Sequence, residues 1–166
     1  MYQDKSTILY DSKDQNNKRK WFVVDDGVMG GLSQGAIKLN DAENLEYSGT
    51  VRTENNGGFS SIRCSFNTVD ASKFNFIVLK VKGDGKNYQF RIKDDKFNRY
   101  SYITIFKTSV EWETIKIKLT DFYPSFRGNR LNRPNYNGKQ MEEIAILIGN
   151  KTKESFLIEI EKIFLE

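Results

Sequence analysis

The sequence predicts an all-β protein, a sandwich of many short antiparallel strands. Three observations carry that expectation. Short segments alternate apolar and polar residues with a period of two, turn-forming dipeptides fall between them, and no stretch sustains an apolar stripe at helical spacing.

Taken in chain order, "WFVV" from Trp21 reads as a strand, and "LSQGAIKLN" from Leu32 is strand-like. In "ENNGGFSSIR", Phe59, Ser61 and Arg63 share one face, while Ser60, Ile62 and Cys64 share the other. "FIVLKVK" sets Ile77, Leu79 and Val81 against Lys80 and Lys82. "YQFRIK" points Tyr88, Phe90 and Ile92 inward and Gln89, Arg91 and Lys93 outward. "TIKIKL" repeats the pattern with Ile115, Ile117 and Leu119. "IAILIG", from Ile144 to Gly149, is apolar on both faces and reads as a central strand. In "FLIEIEKIFL" the apolar phase shifts after Ile160, which a bulge near Glu161 and Lys162 explains. Asn56-Gly57, Gly83-Asp84-Gly85-Lys86 and Asn137-Gly138 supply the turns. One or two helical turns are expected near Lys139 to Glu142. Residues 1–166 are expected to form a single domain, frayed over 1–7.

Composition removes whole classes of chemistry. The chain has no histidine and one cysteine, Cys64. Ser-His-Asp and Cys-His nucleophiles, the usual base at neutral pH, thiolate metal sites and an internal disulfide are therefore excluded. Neither a cofactor nor a metal is expected. The net charge of +4 is the small difference between 26 basic and 22 acidic residues, which argues against a nucleic-acid partner, because counterion release rewards clustered cations. No run approaches the length of a membrane helix and no export signal is visible, so a cytoplasmic location is expected, trimmed signals aside.

Three patches stand out as candidate sites. "VVDDGVMGGLSQG" holds Asp25, Asp26 and four glycines. It is followed by a strand rather than a helix and lacks the Gly-Lys-Ser/Thr ending, so it is no nucleotide loop. It reads either as a corner, with Gly27, Gly30 and Gly31 giving positive φ or close approach and both acids bonding turn amides, or as a ligand contact through Asp26. The second patch offers Asn55, Asn56 and Arg63 as donors to a sugar or carboxylate, or as partners for the glycine-loop carbonyls. The third, "DFYPSFRGNRLNRP", places Arg127, Arg130 and Arg133 among Phe122, Tyr123 and Phe126. Arginine beside aromatic rings suits anion or ring recognition, and equally a solvated loop. A carboxylate pair such as Asp26 and Glu54 needs no histidine for glycoside hydrolysis, but nothing else in the chain supports that pairing.

Together these patches resemble a known family. "WFVVDDGVMGGLSQG" is similar to the motif of the complex I intermediate-associated proteins, a Trp followed by Asp-Gly-Val-Met-Gly-Gly and a Ser. "YSGTVRTENNGGFSSIR", "LKVKGDGKNYQFRI", "SYITIFKTSVEWETIKIKLTDFYPSFRG" and "FLIEIEKIFL" continue the resemblance in order, from about Leu9 to Leu165. Ser155 stands where many members carry glycine. The resemblance implies a galactose-binding-domain-like jelly roll and a non-catalytic, chaperone-like assembly role without a redox cofactor. The chain looks like a stand-alone, bacterial-type member.

Two functions follow as expectations. One is a protein-binding module for partners such as respiratory-chain subunits, docking through the arginine-aromatic loop. The other is a carbohydrate-binding module, with Trp21 or Tyr136 as an aromatic platform beside Asn55 and Asn56. Neither fixes an oligomeric state.

Overall fold

The computed structural model describes residues 7–14 and 19–166, without the side chains of Val28, Met29 and Asn56. Thirteen strands account for nearly all regular structure. In chain order they are β1 (Thr7–Asp11), β2 (Phe22–Asp25), β3 (Gln34–Leu39), β4 (Leu45–Val51) and β5 (Ser60–Val69). There follow β6 (Phe76–Lys82), β7 (Asn87–Lys93), β8 (Ser101–Lys107) and β9 (Trp112–Lys118). The last four are β10 (Tyr123–Phe126), β11 (Asn129–Arg130), β12 (Met141–Ile148) and β13 (Glu154–Leu165). Helix among the described residues is limited to short 3₁₀ turns, so no helix there is long and apolar enough to cross a membrane.

The strands form two antiparallel sheets. The six-stranded sheet runs β3-β4-β13-β6-β9, with β1 added on β13. The seven-stranded sheet runs β11-β10-β8-β7-β12-β5-β2. Alternation in each strand sends one set of apolar residues between the sheets, where Tyr47, Ile77, Leu79, Phe90, Ile92, Ile146 and Ile158 are fully buried or nearly so. Aromatic rings meet edge to face in this layer, Tyr47 with Phe156 of the neighbouring strand at 4.8 Å, and Tyr88 with Phe156 from one sheet to the other at 6.4 Å.

The expected period-two strands are all present. β13 changes register between Ile160 and Lys162, where the apolar phase shifts. β12 lies between β5 and β7, in the interior of its sheet. The helical turn expected near Lys139 is absent. Lys139 is in a bend and β12 already begins at Met141, because the buried Met141 side chain pairs opposite Val69 and holds the segment extended. β1 pairs antiparallel with β13, which sets Thr7 opposite Leu165 and brings the two ends of the described fold side by side.

Candidate functional site

The glycine-acid loop after β2 folds as a corner. Asp25 ends β2, Asp26–Met29 makes a 3₁₀ turn, and Gly30 stops it with φ of 90°. The Asp26 carboxylate is fully buried and accepts four hydrogen bonds. They come from the Ser33 amide (2.9 Å) and hydroxyl (2.6 Å), the Gly58 amide (2.7 Å) and the Phe59 amide (3.2 Å). Burial alone would raise its pKa; the bonds from Ser33, Gly58 and Phe59 outweigh burial and hold it below the ordinary aspartate value. A Cβ on Gly31 or Gly57 would collide with this carboxylate, so both glycines are there for close approach. Gly27 shows neither positive φ nor a close neighbour, contrary to expectation. Asp25 extends the clamp, accepting the Gly35 amide at 3.0 Å and the Ser60 hydroxyl, which in turn accepts from Tyr47.

The corner fixes β2 against β5, and thereby the start of a groove. Cross-strand pairing puts Phe22, Arg63, Ala145, Arg91, Ile103 and Tyr123 in one row on the face of the seven-stranded sheet turned away from the core. This face is shielded rather than freely solvated. Ser61, Ser101, Ile103, Ala145, Leu147 and Glu143 are all buried on it, and β12 is covered on both sides. A cavity of about 70 Å³ lies here, lined by Ser61, Ser101, Arg63, Arg91, Lys93, Arg99 and Glu143 among others. Four cations thus face one carboxylate. Among the described residues none of the four makes an ion pair; Arg91 forks onto the Gln89 side chain at 2.9 and 2.7 Å, and Lys93 donates to the Asn98 carbonyl at 2.8 Å. Burial pushes the Arg91 guanidinium down to about 10, and neighbouring Arg63 pushes the same way. Lys93 is also lowered by burial, against the pull of Glu143.

One rim of the groove is the β10–β11 hairpin. Its two-residue turn, Arg127-Gly128, has φ of 50° and 81°, the left-handed pair of a type I′ turn. Arginine sits where asparagine or glycine would be relaxed. Arg130 stacks on the Tyr123 ring at 4.5 Å, Arg127 on Phe126 at 5.2 Å, and Arg133 on Tyr100 at 4.8 Å. Between these rings lies a second, apolar cavity of about 260 Å³, lined by Tyr100, Phe126, Leu131 and Arg99. Arg99 borders both cavities.

The structure therefore brings Arg63, Tyr123, Arg127 and Arg130 to one face and its rim. It sends the other candidates elsewhere. Asp26 is closed off by its four donors. Trp21 is only 8% exposed and packs edge to face on Tyr10, and Tyr136 is 2% exposed, so neither presents a platform. Asn55 is exposed in the second glycine loop with φ of 57°, and the Asn56 side chain lies outside the described residues. Arg91, Lys93 and Arg99 went unnoticed in the sequence, where Arg91 and Lys93 pass for solvent-facing positions. The available signal was "IAILIG": a strand apolar on both faces needs its second face covered too.

The antiparallel sandwich is a fold that the chain shares with carbohydrate-binding modules of known structure. The chain aligns with a family 11 carbohydrate-binding module from Clostridium thermocellum, solved in complex with a β-1,3-1,4-mixed-linked tetrasaccharide, with a TM-score of 0.66 and 18% identity over 96% of this chain and 94% of that one. It also aligns with an agarase, with a TM-score of 0.63 and 11% identity, covering 98% of this chain and 25% of that one. At such identities the likeness is one of fold alone.

Residues 10–160 match the family Complex I intermediate-associated protein 30 (CIA30), and the chain belongs to that family. Two curated relatives bear the name "Complex I intermediate-associated protein 30, mitochondrial". The Mus musculus protein is 25% identical over 95% of this chain and 55% of its own length. The Drosophila melanogaster protein is 25% identical over 76% and 50%. The chain spans about half the length of these relatives.

Proposed function

We propose that the chain is a non-catalytic docking module that holds a protein partner, in the manner the family name suggests for complex I assembly, on the face of the seven-stranded sheet turned away from the core. The observation that carries this reading is the Arg127 turn and its neighbours. Three arginines stacked on rings form a rigid, amphipathic rim of the residue types that dominate interface energetics, beside a groove whose cations make no ion pair among the described residues. Arg127 is held in a left-handed conformation that costs about 1 kcal/mol or more, and such strain is retained where a side chain serves contact rather than folding. Family membership supports a protein partner, respiratory-chain subunits first among them.

Affinity capture from the native cell followed by mass spectrometry tests the reading. The wild-type chain should retain respiratory-chain subunits, while Arg127→Asn should lose them and melt at an equal or higher temperature. Capture undiminished by Arg127→Asn removes the rim from the interface. The fold neighbours favour glycan binding as the alternative; saturable binding in a glycan array, with no co-purifying subunits, would establish it in place of the protein reading.

A further inference from the structure

We infer that the cationic groove is a carboxylate receptor, and that its occupant is an acidic polypeptide segment carrying an apolar residue beside the acid. The inference rests on the docking reading above and names the chemistry of that partner.

Charge is the first ground. Arg63, Arg91, Lys93 and Arg99 border one cavity, while Glu143 is the single carboxylate on its lining. Glu143 already accepts the Ser65 hydroxyl at 3.1 Å. Arg91 spends Nε and Nη2 on Gln89 and keeps Nη1 uncommitted; Arg63 and Arg99 make no hydrogen bond among the described residues. Half-buried guanidiniums next to one another repel unless an anion sits between them, and a carboxylate meets a guanidinium fork with two parallel bonds. Burial, with neighbouring Arg63 pushing the same way, lowers the basicity of Arg91, in keeping with a cation that has no ion-pair partner among the described residues.

Size is the second ground. A cavity of about 70 Å³ is far below the roughly 300 Å³ at which small-molecule pockets begin, so it takes one functional group and not a whole ligand. The neighbouring apolar cavity of about 260 Å³, reached across Arg99, takes a side chain such as leucine. Ile105 and Phe22, 61% and 48% exposed, extend apolar surface along the same face. Arg130 covers the Tyr123 ring, and Trp21 and Tyr136 are buried, so none of these three offers a saccharide a bare ring to stack on. An acid next to an apolar residue on an extended peptide satisfies both cavities.

The opposite open face supplies the control. The six-stranded sheet carries Lys38, Lys80, Lys116 and Lys162, an equally cationic set, but these are long flexible side chains, and Lys38 and Lys116 already pair with Glu46 and Glu166.

Fluorescence anisotropy with three labelled peptides on the folded chain tests the inference: a short Glu/Leu peptide, its Gln/Leu counterpart and a Glu/Ser counterpart, with an oligogalacturonate as competitor. The Glu/Leu peptide should bind saturably, and the Gln/Leu and Glu/Ser versions about tenfold or more weakly. Arg91→Met should lower Glu/Leu affinity by about tenfold with an equal or higher melting temperature, while Lys80→Met leaves the affinity alone. Equal binding of Glu/Leu and Gln/Leu peptides, or no effect of Arg91→Met, overturns the carboxylate receptor. Binding of oligogalacturonate without the Glu/Leu peptide overturns the polypeptide assignment. Repeating the capture experiment with Arg91→Met separates the two levels: subunits still retained leave the docking reading standing and remove the carboxylate, whereas no capture by the wild type removes the docking reading itself.

Discussion

Two charged regions lie on or beside the seven-stranded sheet and are handled in opposite ways. Asp26, just past the end of β2, has four donors closed around it and no exposed surface. Arg63 and Arg91, further along β5 and on β7, face each other across β12 with no counter-charge of their own. A buried charge whose bonding capacity is filled from within belongs to the scaffold; one left wanting an opposite charge is available for something from outside. The comparison separates residue types that the sequence displays with equal prominence.

The sharpest way to break the comparison is at Asp26. Asn at this position keeps the shape but turns two donors toward donors, and should lower stability by about 3 kcal/mol, read from the urea midpoint. An unmoved midpoint would mean the corner does not anchor the two glycine loops. The pH dependence follows from the same bonds. The folded-state pKa of Asp26 is depressed, so its contribution is present above the unfolded value of about 3.9 and is lost as pH falls through the folded value. Wild-type stability should therefore drop steeply below about pH 4, and the Asp26→Asn protein less steeply. Gly30→Val comes next. With φ of 90° and open space around it, the cost is one of backbone strain alone, about 1 to 2 kcal/mol in a thermal melt. Smallest is Arg91→Met. Removing a half-buried cation without a counter-charge should leave stability unchanged or raise it by about 1 kcal/mol; a clear loss would return Arg91 to the scaffold.

Much of the sandwich was legible because its signals are local. Ile77, Leu79 and Val81 alternate with polar neighbours, and the phase change after Ile160 marks the one-residue irregularity in β13. Lys139 to Glu142 misled because the pull of Met141 into the core, opposite Val69, is a long-range matter. The site was half legible for the same reason. Arg63, Tyr123, Arg127 and Arg130 announce themselves by clustering with rings or glycines in sequence. Arg91 and Arg99 do not, because an outward position on a strand looks alike whether the sheet curves around it or leaves it in water. Trp21 shows the converse: a conspicuous residue in a conspicuous motif that goes under Tyr10 to fill space.

The pairing of Thr7 with Leu165 brings the start of the first strand beside the end of the last one in the six-stranded sheet. A few residues of linker would close the described fold into a ring, which could then be opened at an exposed tip such as the Asn40 to Glu43 bend without cutting a strand. The same adjacency lets the sandwich be spliced into a loop of a host protein as a cassette. In such a fusion both seams lie where β1 pairs with β13 in the six-stranded sheet, whereas the arginine-lined surface belongs to the other sheet.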